Sequence, residues 1–518
     1  MSGIKHDGIT RRAFLKGAAA ASAGLMVSSL PGVLHAAAAP KPGGTFKITV
    51  AREIKSLNPL RHVNIAEYMQ GELMYSGLTK LNADMNAVGD LAESWESKDA
   101  VTWRFNLRKG VTFHNGKPLT AADVVATMRK LLDPATASPG MKNIGPVAAV
   151  EAEGSHVVKV TTSSPYSFLP KALSYPCFKV LPEEVVNGDF DAAGSKDFGS
   201  GPFRLKEYVA GSHLIVEKNP DYFIPGRPYL NEVHVLYFPD PLAEINALLT
   251  GQVDMVNEVN PAQIGRLEKN KDVTVMHAKS GRFVNTVFDC QAAPFSDPRV
   301  RKALTLSMDR EAALLMALEG YGSIGNDTPI SPAYPFYHEM PQRQQDMAAA
   351  AKLLQEAGIK KGTKLQLDIA VSPAVRGKLG IVIQQAAKEL GLNVELKQFD
   401  YSTYLDTIWL KSPYYVGFYN MQSSEDACFQ LLYTSTSPWN ETRWNNATFD
   451  KLVIDARAEL NEDKQRKLYA DIQEMMYEEV PTCIPLFLDL TCALTPNIHD
   501  YRMVPRGTYW HLENVWKS

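Results

Sequence analysis

The stretch WRFNLRKGVTFHNGKPLTAADV, at residues 103–124, contains the patterns of a strand, a turn and a helix start in succession. Phe105 and Leu107 alternate with polar neighbours, which is typical of a half-buried β-strand. Two glycines then bracket a turn-rich segment, where glycine supplies backbone conformations that other residues avoid. Thr120 followed three residues later by Asp123 is an acidic variant of the capping box, which predicts a helix start. The stretch therefore predicts a fold that mixes strands with helices.

Similar patterns recur along the rest of the chain. Alternating apolar residues predict strands at 44–50, 155–161, 203–208, 213–218, 232–238, 365–370, 394–399, 416–420 and 484–490. Apolar residues at helical spacing predict helices at 66–75, 120–132, 241–250, 298–306, 310–318, 346–356, 378–390, 401–410, 449–458 and 462–479. Helices that alternate with short strands predict an α/β architecture with mixed sheets.

Composition restricts the class of protein. Of the 518 residues, 45% are hydrophobic and 21% are charged, and 54 basic against 57 acidic residues leave a formal net charge of -3. These values are ordinary for globular domains, so they exclude a disordered chain and a polytopic membrane protein and give no electrostatic reason to expect nucleic acid as a partner. The length suits about two to four domains, and a ligand-binding cleft is then expected between domains.

The first forty residues have the organisation of an export signal. Residues 10–16 are TRRAFLK, a mildly apolar Gly- and Ala-rich stretch follows at 17–34, and small residues occupy 36–39. This order is typical of a secretory signal peptide, and the adjacent arginines resemble a twin-arginine (Tat) signal. We therefore expect the Tat export machinery to act on residues 1–38, cleavage near 36–39, and a soluble periplasmic product. The alternative is a cytosolic N-terminal helix that contains Arg-Arg by chance.

Motifs for catalysis or metal binding are scarce. The eleven histidines show no HxH or HExxH spacing, and CxxC, GxSxG and Walker A patterns are missing from the sequence. GYGSIG at 320–325 matches GxGxxG, but it follows a predicted helix and lacks a βαβ setting, so we interpret it as a loop. Five cysteines are too few for a disulfide framework in an exported chain of this length. We predict no cofactor, no metal and no catalytic residue, although a dispersed catalytic triad stays open.

Several segments together resemble the solute-binding proteins of ABC importers, in the peptide, nickel and oligopeptide class known as family 5. They are 91–95 (LAESW), 103–124, 199–203 (GSGPF), 218–223 (KNPDYF), 239–241 (PDP) with 251–254 (GQVD), and 294–304 (PFSDPRVRKAL) with 308–311 (MDRE). Their order along the chain matches the family order. Most of these residues suit strands, turns and helix starts, so they identify the family without marking its ligand pocket.

The resemblance implies an α/β, two-lobed periplasmic binding protein fold with mixed sheets, hinge strands and an extra inserted domain. The implied parts are lobe I at 39–80, 199–282 and 488–518, the inserted domain at 81–198, and lobe II at 283–487. Two crossing strands, near 282–285 and 486–491, would form a hinge that lets a ligand select the closed state. The implied partners are a small-molecule or peptide ligand and the ABC permease subunits of the inner membrane.

In relatives that bind peptides, an aspartate of the second lobe pairs with the N-terminal ammonium of the peptide. The surrounding pattern of the family aligns with residues 419–426, where Tyr419 holds the aromatic position and Asn420 follows it. Gln422 replaces the aspartate and Asp426 replaces a proline. A glutamine cannot supply the charge-assisted bond that makes an ammonium site selective. Glu425 or Asp426 is the alternative acid after a small shift, so a cationic ligand stays open.

Position in the inferred cleft gives the other candidate ligand-binding residues. They are Arg282, Phe283, Asn285, Tyr401, Tyr404, Trp409, Asn58, Arg61, His62, Trp439 and Trp444. The first three follow the crossing strand, where an arginine clamps a carboxylate or is merely solvated. The next three recur near helical spacing, which is also typical of core packing. The following three lie in the loop after the first strand, where open α/β sheets present ligands, and the two tryptophans belong to an aromatic loop.

The sequence thus predicts a monomeric periplasmic binding component of an ABC importer that captures a di- or oligopeptide or a peptide-like polar solute. Three alternatives stay open. The first is a family-5 protein for a non-peptide solute such as an opine, a sugar derivative or a metal chelate. The second is a periplasmic enzyme on the same scaffold, and the third is a sensor partner.

Overall fold

A mixed sheet runs through most of the chain in the computed structural model, which describes residues 39–518. The strands are β1 Thr45–Val50, β2 Thr79–Leu81, β3 Ala87–Gly89, β4 Ala92–Glu96, β5 Thr102–Leu107, β6 Val147–Ala152, β7 Val157–Thr162, β8 Phe203–Val209, β9 His213–Lys218, β10 Glu232–Tyr237, β11 Met255–Val256, β12 Thr274–Phe288, β13 Gly322–Ile324, β14 Lys364–Ala370, β15 Asn393–Phe399, β16 Tyr414–Tyr419, β17 Thr482–Leu494, β18 Ile498–His499 and β19 Trp516–Lys517.

Helices pack on this sheet and on the smaller sheets. They are α1 Ile65–Met74, α2 Ala121–Leu132, α3 Leu169–Ala172, α4 Glu183–Asn187, α5 Pro241–Leu249, α6 Pro261–Leu267, α7 Pro298–Leu306, α8 Arg310–Leu318, α9 Met347–Glu356, α10 Val375–Glu389, α11 Tyr401–Thr407, α12 Glu425–Leu432, α13 Ala447–Ala458 and α14 Glu462–Glu479. Short 3-10 helices lie at Pro59–Arg61, Pro134–Thr136, Pro139–Lys142, Phe190–Gly194 and Leu512–Asn514.

The order of the large sheet is β15-β14-β16-β12-β17-β11-β1-β10-β9-β8, with β13 beside β17. One end contains β14 in parallel with β15 and β16, and the other contains β1 in parallel with β10 and β11. The remaining ladders are antiparallel. This mixed α/β topology confirms the predicted fold class.

Two long strands join the two ends of the sheet. β12 has 15 residues and β17 has 13, and they pair antiparallel to each other. Their ladder is irregular between Ala278 and Arg282, after which Arg282 pairs with Leu488. The sequence placed the first crossing strand near 282–285, whereas β12 already begins at Thr274.

The opening stretch forms β5, a turn and α2, as predicted. β5 lies in a separate four-stranded sheet of order β4-β5-β7-β6, in which Phe105 is fully buried. The backbone N–H of Thr120 donates to the Asp123 carboxylate at 2.9 Å, which is one half of a capping box. The strand, the turn and the helix start were therefore predictable from the residues of this stretch alone.

Three features of residues 39–518 bear on function. No helix in that range is long and apolar enough to cross a membrane, and no group of three His, Cys, Asp or Glu side chains there is placed to hold a metal ion. All five cysteines are free thiols. The predicted signal peptide at 1–38 lies outside the described residues.

Candidate functional site

The carboxyl ends of parallel strands mark the candidate site. In open α/β sheets, ligands bind in the crevice beyond these ends. Tyr419 is the last residue of β16, and Asn420 and Gln422 follow it directly. The candidate residues Asn58, Arg61 and His62 lie in the loop after β1, in the other part of the sheet.

An aromatic cluster forms the exposed surface of the site, and we define it as Trp409, Tyr419 and Trp439. The Trp409 indole N–H donates to the Tyr419 hydroxyl at 3.0 Å. The Trp409 and Trp439 rings meet edge to face with centroids 5.4 Å apart. Trp439 is 38% exposed, whereas Tyr419 is 8% exposed. The cluster thus presents one tryptophan to solvent on two supporting rings, which suits stacking against a solute.

Glu441, which the sequence analysis did not name as a site residue, supports this cluster through hydrogen bonds. It is buried, and its carboxylate accepts hydrogen bonds from the hydroxyls of Tyr419 at 2.9 Å and Tyr415 at 3.0 Å. The Asn285 amide donates to the same carboxylate at 2.8 Å. Burial raises the pKa of Glu441, while these hydrogen bonds lower it to a smaller extent. The Asn285 side chain thus acts inside the fold, as a support for Tyr419.

Phe283 is a second support. Its ring is buried, with centroids 5.5 Å from Tyr419 and 6.3 Å from Phe487. The side chain of Arg282, the neighbour of Phe283 on β12, forms an ion pair with the Glu258 carboxylate at 2.7 Å. The Arg282 side chain is 21% exposed and that of Glu258 is 59% exposed. This pair is reachable from solvent.

Gln422 is the residue that the sequence analysis predicted at the ammonium-anchor position of the family pattern. Its backbone N–H donates to the Tyr334 hydroxyl at 2.9 Å, and its amide nitrogen donates to the Asn420 carbonyl at 3.0 Å. Gln422 is half-buried and Asn420 is exposed. The Gln422 side chain is therefore held beside solvent without a charge.

The two acids that follow are inside the protein. Glu425 is fully buried and accepts from the backbone N–H of Phe336 at 2.7 Å. Asp426 is also buried and pairs with Arg457 at 3.0 Å. Burial raises the pKa of Asp426, and Arg457 opposes that effect. Both acids lie in the first turn of α12, where the positive end of the helix dipole stabilises a carboxylate.

Tyr401 and Tyr404 lie beside a buried arginine on α10. The Arg376 guanidinium is 5.7 Å from the Tyr401 ring and 4.7 Å from the Tyr404 ring. Tyr401 is 48% exposed, whereas Tyr404 is buried and donates to the Val416 carbonyl. Trp444 belongs to the core near α14, where its indole N–H donates to Glu479 at 3.1 Å.

The loop after β1 has its own network. Asn58 caps the 3-10 helix Pro59–Arg61 by accepting from the Leu60 N–H at 3.1 Å. Burial lowers the pKa of His62 to about 3, so this imidazole is neutral. Arg61 pairs with Asp191 at 3.0 Å on the surface. Within residues 39–518, no hydrogen bond joins these three residues to the aromatic cluster.

The large sheet has two parts that are joined by two crossing strands, and a solvent-exposed aromatic site lies at the strand ends. These features define a two-lobed binding protein. Residues 86–442 match the family described as bacterial extracellular solute-binding proteins, family 5 Middle. The chain belongs to this family.

Individual relatives agree with this assignment. The periplasmic oligopeptide-binding protein OppA of Salmonella typhimurium is 26% identical over 479 residues, which cover 85% of this chain and 86% of that protein. The structure of the oligopeptide-binding protein AppA from Bacillus subtilis in complex with a nonapeptide is 25% identical, with a TM-score of 0.73 over 93% of this chain and 100% of that one. The unliganded open form of MppA, a periplasmic murein tripeptide binding protein, is 22% identical, with a TM-score of 0.82 over 92% of this chain and 98% of that one.

Proposed function

We propose that this protein captures a small polar solute between its lobes and delivers it to an ABC permease in the inner membrane. The main observation in support of this proposal is the exposed aromatic cluster at the strand ends, beside the two strands that join the parts of the sheet. A di- or oligopeptide, or a peptide-like compound, is the solute class that the relatives favour. Such ligands are held largely through their backbone groups, with side-chain pockets that tolerate variety.

The lobe boundaries are part of this proposal. Lobe I comprises 39–80, 199–282 and 488–518, the inserted domain 81–198, and lobe II 283–487. The passage of β12 and β17 between the two parts of the sheet supports these limits. The solute stabilises the closed arrangement only by the additional contacts that closure provides.

The uncharged side chain of Gln422 bears on which of two solute classes the protein binds. A peptide held by the usual ammonium anchor of the family needs an acid at this position, and the two following acids are buried in the fold. A non-peptide solute such as an opine, a sugar derivative or a metal chelate is therefore the second candidate. Either solute is bound and released without chemical change, so no catalytic residue is assigned.

Export completes the proposal. The TRRAFLK segment at 10–16 directs the chain to the Tat machinery, and the product after cleavage near 36–39 acts in the periplasm as a monomer.

Calorimetry on purified protein tests the proposal. A panel of a tripeptide, an opine, a sugar and a nickel chelate should give binding by one class, and mass spectrometry should find that solute released unaltered. A protein that binds no member of the panel, or that converts the bound compound, contradicts the proposal.

A further inference from the structure

An arginine near the C-terminus has few hydrogen-bond partners. Arg506 lies between β18 and β19 and is half-buried. One weak hydrogen bond, from its Nη1 to the Tyr509 hydroxyl at 3.3 Å, accounts for one of its five N–H donors. Among residues 39–518, no carboxylate lies within ion-pair distance of it. By contrast, Arg310 and Arg343 share the Asp327 carboxylate.

Tyrosines surround the guanidinium instead. Its carbon lies 5.1 Å from the centre of the Tyr175 ring. The Tyr175 and Tyr68 rings meet edge to face with centroids 6.5 Å apart, and both residues are half-buried. The Tyr68 and Tyr175 hydroxyls interact with each other, and among residues 39–518 neither makes a hydrogen bond of 3.5 Å or less to another group. Arg506, Tyr68 and Tyr175 therefore form a positively charged group of donors, which we call the arginine–tyrosine cluster.

The backbone fixes this cluster next to the crossing strands. A Cβ atom at Gly507 would lie 3.0 Å from a methyl group of Leu490, so the segment is packed tightly on β17. Leu490 is two residues from Leu488, which pairs with Arg282 of β12. The Tyr509 hydroxyl also donates to Ser174 Oγ at 3.2 Å, which ties the segment to the residue before Tyr175. The cluster thus lies on the lobe I side of the strands that join the lobes.

We propose that Arg506, with the hydroxyls of Tyr68 and Tyr175, binds a carboxylate of the captured solute. This inference rests on the proposed function and specifies its solute class as carboxylate-bearing. A guanidinium presents a planar fork of donors that matches a carboxylate, and tyrosine hydroxyls donate from the side. The neutral Gln422 complements this arrangement, because recognition then depends on the acidic end of the solute and not on an ammonium group.

Calorimetry with trialanine and trialanine amide tests the inference, since the two peptides differ only in the terminal carboxylate. Wild-type protein should bind the acid roughly 10-fold to 100-fold more tightly than the amide, as expected for a bidentate charge-assisted bond. Arg506→Gln should remove that preference, and Arg506→Lys should retain part of it. Arg502→Gln is the matched control, because Arg502 is an exposed arginine of the same segment. It should keep the full preference.

Thermal unfolding of each variant checks that the Arg506 variants are folded at the assay temperature. Equal affinity for acid and amide in wild type, or a preference that survives in folded Arg506→Gln, overturns the inference and leaves the proposed function intact. If only an opine binds, the opine and its amide replace the peptide pair, with the same expectations. If no solute binds at all, the proposed function fails and the inference fails with it.

Discussion

Gln422→Asp should give the protein a preference for peptides with a free N-terminal amine. The change places a carboxylate at the half-buried end of β16, where Gln422 now offers a neutral amide. A hydrogen bond to a charged group contributes about 1.5 to 3 kcal/mol, and partial exposure reduces this to about 1 to 2 kcal/mol. The expected gain is therefore roughly 5-fold to 30-fold in Kd. Aspartate is preferable to glutamate, because a longer carboxylate would meet the Asn420 carbonyl that Gln422 now contacts at 3.0 Å.

The assay is calorimetry with trialanine and N-acetyl-trialanine. Gln422→Asp should improve the affinity for trialanine and leave that for the acetylated peptide unchanged. Gln422→Asn, which has the size of aspartate without its charge, should improve neither. An unchanged Kd for trialanine in a folded Gln422→Asp variant would refute the alignment of Gln422 with the ammonium anchor.

Three further predictions concern pH, stability and the aromatic cluster. Burial raises the pKa of Glu244 to about 7. Because the unfolded value is near 4.3, the folded state binds more protons between these values, and wild type loses stability as pH rises through that window. Glu244→Gln should therefore stabilise the fold by about 1 to 3 kcal/mol near pH 8 and hardly at all near pH 4, as measured by urea unfolding. Asp327→Asn should cost about 3 to 5 kcal/mol in the same assay, because two buried arginines lose their shared carboxylate. Trp439→Ala should weaken solute binding about tenfold in calorimetry with little change in Tm, since the side chain is 38% exposed.

Controls separate these effects from general damage. Glu311→Gln, at an exposed acid in the first turn of α8, should show no comparable pH-dependent gain. Arg299→Gln, on the surface of α7, should cost less than Asp327→Asn. Trp444→Ala should lower the stability by about 3 kcal/mol, because that tryptophan is buried. A pH-independent effect of Glu244→Gln, a neutral Asp327→Asn or full affinity in Trp439→Ala would each contradict the corresponding argument.

Elements with local start signals were predictable from the sequence. The predicted limits 298–306, 310–318 and 462–479 coincide with α7, α8 and α14. Each of these helices begins after an Asp or Asn whose side chain accepts from a backbone N–H of the first turn, as at Asp297 with Arg299. Such signals involve neighbouring residues, so the sequence contains them in full.

Elements stabilised by distant residues were not predictable in the same way. The sequence analysis missed α12, because its first residues, Glu425 and Asp426, fit the ligand pattern of the family and were interpreted as site residues. Their burial depends on Phe336 and Arg457, which are far away in the chain. Glu441 lies between the two tryptophans of the predicted aromatic loop, and only the approach of Tyr415 and Tyr419 gives it a role.

The candidate site likewise combines features that were predictable from the sequence with features that only the fold reveals. Tyr419, Trp409 and Trp439 were each proposed from the sequence, but nothing in it showed that their rings touch one another. Arg506 and Tyr175 are separated by most of the chain and meet only through the fold. Sequence patterns thus identified residue types suited to a solute site, whereas their assembly required the sheet order.

Small-angle X-ray scattering on the purified protein, with and without a saturating solute, tests most directly whether the lobes close on a guest. We predict a smaller radius of gyration when the solute is bound, and a return to the larger value when the solute is removed. Identical scattering curves, for a solute that calorimetry shows to be bound, would contradict the account.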